Sequence, residues 1–108
     1  MHEHVLVEIN NIFDSARPRD EYDVLNKLVS RYESADNETK KKLELAFLVW
    51  LTDSNLVKVD YAIRLIVKFK VTNAIPQLKQ LLSSIDSGTS KIPKYFNQMV
   101  NNAISELT

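Results

Sequence analysis

"VTNAIPQLKQLL", residues 71–82, decides the fold of this chain. It contains Pro76, one of three prolines in a sequence with a single glycine, directly ahead of a run of leucines at helical spacing. Inside a helix a proline costs roughly 3 kcal/mol, because it has no N–H to donate and its ring meets the preceding turn. In the first turn the N–H has no intrahelical partner in any case, so most of that cost disappears. Pro76 therefore marks the beginning of a helix, with Thr72 or Asn73 expected as its cap. If Asn73 caps, its side chain must reach the N–H of Ile75, because Pro76 offers none. The preceding helical pattern runs to about Lys70, so the link is only about two to four residues. Helices joined that closely are expected to fold back as an antiparallel pair.

Working outward, five more helical patterns are found. Val5, Ile9, Ile12 and Phe13 form the first, which ends at the loop around Pro18. Tyr22, Leu25, Leu28, Val29 and Tyr32 form the second, with Asp20 as its expected cap. The third begins near Asp36 or Asn37 and carries Leu43, Ala46, Phe47, Trp50 and Leu51, with Leu45, Leu48 and Val49 filling most of the remaining circumference. A helix so apolar is expected to be covered on several sides. After "TDSN" (52–55), with Ser54 or Asn55 as cap, the fourth carries Leu56, Val59, Ile63, Ile66 and Phe69. Asp60 and Arg64 on its outer side are spaced for an ion pair worth about 0.3–0.5 kcal/mol. The proline-led fifth carries Ile75, Leu78, Leu81, Leu82 and Ile85. Beyond the loop "DSGTSKIP" (86–93), the sixth carries Phe96, Met99, Val100, Ala103 and Leu107. No segment shows sustained strand alternation, so the class is all-α, in one domain spanning 1–108.

"YAIRLIVKFKVTNAIPQLKQLL" (61–82) resembles a HEAT repeat, the armadillo-type helical unit whose second helix opens on an "AIPxLxxLL"-like turn. "NNAISEL" (101–107) resembles the first helix of a following repeat. Ala62 and Ala103 are 41 positions apart, within the roughly 40–47 of such repeats. The likeness is best over 61–85 and 96–107. It implies a short right-handed stack of antiparallel helix pairs, a HEAT-like α-α superhelix of about six helices. Residues 20–54 would then be a divergent pair and the first helix a lone cap.

The residue inventory excludes much chemistry. With no cysteine there is no disulfide frame, thiolate metal site or cysteine nucleophile. His2 and His4, two apart on a helix, point about 200° from each other and cannot chelate one ion from one face. Asp20, Glu21 and Asp23 open a helix, where negative charge favours the dipole. The serines at 83, 84, 87 and 90 have no histidine base nearby, and one glycine builds no phosphate loop. Neither an enzyme nor a cofactor or metal is expected. Lys40, Lys41 and Lys42 spread over about 200° of a helix and form no stripe. Tyr22, Tyr32, Phe47, Trp50, Tyr61 and Phe69 fall on core stripes, whereas Tyr95 beside Pro93 is expected to be exposed. The longest apolar run, "LAFLVWL" (45–51), is far too short for a membrane span. No signal peptide is read at the N-terminus, so a cytoplasmic protein is expected.

Charge is zero overall but uneven. Residues 1–54 carry eleven acids and seven bases, and 55–108 carry three acids and seven bases, giving −4 and +4. The expected function is a protein-binding module or adaptor, with a toxin-neutralising immunity-type protein as one concrete form. Its partner is expected to be a protein with an acidic surface, and its binding residues Arg64, Lys68, Gln77, Lys79, Gln80 and Ser84. The alternative is nucleic-acid binding through the basic half, where Lys58, Lys70, Lys91 and Lys94 join these bases.

Overall fold

Every element follows from a helical spacing and a local stop. The computed structural model describes residues 3–15 and 21–108, the side chains of Glu3, Glu21 and Tyr22 excepted. Pro18, the expected Asp20 cap and His2 lie outside the described residues. Six α-helices appear in order: α1 Glu3–Asp14, α2 Glu21–Glu33, α3 Asn37–Trp50, α4 Leu56–Lys68, α5 Ile75–Ser87 and α6 Phe96–Leu107. A one-turn 3-10 helix, Thr72–Ala74, leads into α5, and no strand occurs among the described residues. The all-α class is thus observed. The chain divides into two compact units, Met1–Ala46 and Phe47–Thr108, with the boundary inside α3.

In the first unit α1 packs on α2. Val5 and Ile9 are buried from α1, and Val24 and Leu28 from α2. The stripe expected on α2 is displaced: Val24 was not on it, and Leu25, Val29 and Tyr32 are only half-buried. Polar bonds occupy its margins. Arg31 Nε donates to Glu8 Oε2 at 2.6 Å, and Tyr32 Oη donates to Glu44 Oε2 at 2.7 Å. The bond to Glu8 raises the Arg31 guanidinium above its ordinary value. Asp36 caps α3, its Oδ1 accepting the Thr39 N–H at 2.8 Å. The bonds from Thr39, first from its side chain and then from its backbone, hold the Asp36 carboxyl below the usual range. The three lysines diverge as expected: Lys40 lies over the Tyr32 ring, Lys42 pairs with Glu38, and Lys41 is exposed. Asp23, of the acidic run, pairs with Lys27.

In the second unit Phe47, Trp50, Leu51, Val59, Leu65, Ile66, Leu78, Ile85 and Val100 are almost fully buried. α3 is expected to be covered on several sides; Leu43, Ala46, Phe47, Trp50 and, just beyond it, Leu51 are buried, while Leu45 and Val49, four apart, are exposed. The turn after α3 is fixed by its own side chains. Asp53 Oδ1 accepts the Asn55 N–H at 2.8 Å, and Asn55 Oδ1 caps α4 through the Val57 N–H at 3.0 Å. The C-terminus of α4 is closed by two reverse bonds, Val71 N–H to Ile66 C=O at 2.9 Å and Lys70 N–H to Val67 C=O at 3.2 Å. This is a Schellman closure, and it puts Lys70 in the left-handed region at φ 52°. Val71, just beyond, is buried.

Pro76 sits in the first turn of α5, as its chemistry requires. The expected cap is corrected. Ala74 occupies the capping position and no side chain caps the helix. Thr72 and Asn73 belong to the 3-10 turn, whose backbone delivers the chain already in helical conformation, so a side-chain cap has no place there. Gly88 ends α5 at φ 76° with the same closure, Thr89 N–H reaching Ser84 C=O at 3.1 Å. Asn97 of α6 donates to Asp86 of α5. α6 packs against both α5 and α4. Leu56 and Val57 border one hollow with Tyr95 and Phe96, while Lys68 borders another with Glu106. The two helices therefore run parallel, and α5 is the return connection between them.

Candidate functional site

Five of the six expected binding residues fall on two separate parts of the second unit, and the six do not form one cluster. Gln77, Gln80 and Ser84, three and four positions apart on α5, share one line of that helix. They line a hollow of about 530 Å³ with Leu81. The opposite walls are the 51–54 turn and the segment Ser90–Ile92. Arg64 and Lys68 instead line a groove between α4 and α6. Lys79 is exposed but borders neither. On a helix it points about 200° away from Gln77.

The hollow over α5 has a defined frame. Leu51 and Ile92 are buried at its base. Ser84 Oγ donates to Gln80 C=O at 3.1 Å, and the Ser84 C=O accepts the N–H groups of Thr89 and Ser90. Ser90 Oγ in turn accepts the Ile92 N–H at 3.1 Å. These bonds hold the loop that carries Lys91. On the other wall Thr52 Oγ1 donates to Val49 C=O at 2.9 Å. What remains unbonded is selective. The side-chain amides of Gln77 and Gln80 are exposed and meet no partner among the described residues. Each offers two donors and one acceptor.

The electrostatics of this hollow are lopsided. Asp53 is its one carboxylate, and it is already engaged by the Asn55 N–H and by Lys58 Nζ at 3.9 Å. Lys91, at the rim, has no acid within ion-pair distance among the described residues. The same holds for Lys68, Lys70, Lys79 and Lys94. The unit 47–108 contains seven bases against four acids, a net of +3.

The nucleic-acid reading counts Lys58 with Lys70, Lys91 and Lys94 among the bases of the second half, but the structure sets it apart from them. Its ammonium lies 5.7 Å from the Trp50 ring centroid and its side chain is only 14% exposed. It also stands at the opposite end of α4 from Lys70, about 18 Å away at 1.5 Å per residue. Lys58 is thus a packing group of the 50–58 corner. Lys91, in contrast, enters the sequence analysis only through the nucleic-acid alternative, yet it stands at the rim of the α5 hollow. Its place at the hollow depends on the Gly88 turn and the Ser84–Ser90 bonds, which no spacing in the sequence displays.

The second groove differs in character. Ile63, Val67, Met99 and Ala103 provide an apolar floor in a space of about 530 Å³. Arg64 is bound to Asp60 at 2.8 Å, the pair expected from their spacing. Tyr95, 74% exposed, stands at the N-terminal end of α6 with its ring 5.0 Å from that of Phe96.

Among the described residues there is no group of three or more His, Cys, Asp or Glu that could hold a metal ion. No helix of the described chain is long and apolar enough to cross a membrane. Compared with protein-family models, with curated proteins and with solved structures, the chain matches none of them.

Proposed function

We propose that this chain is a protein-binding module that engages an acidic partner surface through the hollow over α5. One observation carries the reading. Among the described residues, two exposed, unbonded glutamine amides and an unpaired lysine converge on a depression whose one carboxylate, Asp53, is already engaged by Asn55 and Lys58. Unbonded amides offer donors and acceptors together, and the excess positive charge steers an acidic surface toward them. Arg64 and Lys68 belong to a separate groove and are not part of this surface. Lys79 adds to the long-range field from the far side of α5. An immunity-type role, in which the module occupies and blocks a toxin, is one form of this reading. The HEAT-like repeat arrangement stays a proposal that rests on the sequence likeness over 61–85 and 96–107.

Paired affinity capture tests the reading. Wild-type protein and the variant Gln77→Glu, Gln80→Glu, Lys91→Glu are exposed to the same extract. A protein of acidic surface held by the wild type and lost from the variant is expected. Equal capture by both, with the variant folded, rejects the α5 hollow. Nucleic-acid binding is the second reading, favoured by five lysines with no acid in ion-pair distance among the described residues and by exposed Tyr95 beside Lys94. It requires retention on immobilised duplex DNA at about 0.15 M salt, where counterion release still supports non-specific binding.

A further inference from the structure

Two hollows follow one another along the α4–α6 seam, with Met99 lining both, and together they make up the groove along these helices. One end carries Val57 and Tyr95, both exposed, above half-buried Leu56. The other end carries Lys68 on α4 and Glu106 on α6, level with each other because the helices are parallel. Neither is ion-paired within the described chain. Asp60 and Arg64 between them neutralise each other. The charges that line the two hollows are thus two acids, Asp60 and Glu106, and two bases, Arg64 and Lys68. A partner of strong net charge gains nothing from so balanced a face.

An isologous interface requires a patch that is complementary to itself. Rotation by 180° about an axis lying along the groove exchanges the two helices and preserves their levels. It sets α4 of one copy against α6 of the other, parallel and in register. Lys68 of each copy then faces the partner's Glu106, and the pair forms twice. The same rotation brings the exposed Val57 and Tyr95 of the two copies together at the opposite end. Among the charges that line the groove, none meets its like. We infer that the α4–α6 groove is a two-fold self-association surface, occupied by a second copy of this chain and keyed by reciprocal Lys68–Glu106 pairs. The inference rests on the groove alone, independently of the α5 hollow.

Sedimentation equilibrium of the full chain over about 5–500 µM tests it, a range that spans weak association. The mass is expected to climb from 12.4 kDa toward twice that value. Lys68→Glu alone and Glu106→Lys alone should each weaken association several-fold, and the two combined should restore it, since the pair is only exchanged. Val57→Asp, at an exposed position, should weaken it while helical circular dichroism is unchanged. A mass fixed at 12.4 kDa throughout overturns the inference. So does a dimer indifferent both to Val57→Asp and to the charge exchange. A monomer that takes a synthetic amphipathic helix into the groove assigns the surface to a different occupant and overturns it equally.

Discussion

Lys70 holds φ at 52°, a region that costs an L-residue about 1–2 kcal/mol and costs glycine almost nothing. Its side chain is exposed and makes no bond among the described residues, so nothing is lost by removing it. Lys70→Gly is expected to raise stability by about 0.5–1 kcal/mol in thermal unfolding, set against the greater freedom glycine gives the unfolded chain. A fall in stability contradicts the closure described for α4. Tyr32 tests the first unit. Burial, then its bond to Glu44, pushes the phenol up to about 12. A raised folded value means that its stabilising contribution is complete below the ordinary value near 10 and is lost as pH rises through about 12. Absorbance titration should show this late tyrosine, and Glu44→Gln should bring it down. Trp50, fully buried, should emit at short wavelength and resist aqueous quenchers, and Trp50→Ala should cost about 3–5 kcal/mol.

The beginning of α5 shows how far the sequence could be read at the scale of an element. Pro76→Ala should change stability by less than about 1 kcal/mol, because a first-turn proline removes no helical bond. Leu81→Pro, in the middle of the same helix, should unfold the unit, and circular dichroism distinguishes the two outcomes. The start of α5 was legible because proline's missing donor acts wherever it stands. Its cap was not, because the 3-10 turn of Thr72–Ala74 does the capping group's work with backbone alone. The Asp60–Arg64 pair was legible because a helix fixes the distance between positions four apart. The place of Lys58 over Trp50 was not legible, because it depends on how the 52–55 turn redirects the chain. Leu45 and Val49 show the limit of composition: an apolar circumference does not compel cover on every side. The candidate site was half legible. Helical spacing put Gln77, Gln80 and Ser84 on one line, but the wall that makes a hollow of them comes from two distant turns.

For the molecule as a whole, charge is the property that composition reveals and only placement interprets. The surplus bases of 47–108 are not one patch. Arg64 is neutralised by Asp60, Lys58 is folded onto Trp50 and Asp53, and Lys91 alone stands at the rim of the α5 hollow. Lys68 shares its groove with Glu106. The α5 hollow, with its free amides and Lys91, and the charge-balanced groove are thus suited to different occupants, which separates recognition of an acidic partner from recognition of a second copy. Amide chemical-shift mapping with a glutamate-rich probe peptide tests the central claim most directly, at about 0.05 M salt, where screening between exposed charges is weak. The largest shifts are expected at Gln77, Gln80, Ser84 and Lys91, fading as salt rises. Shifts centred on Lys68 and Glu106, or spread evenly over all the exposed lysines, would contradict it.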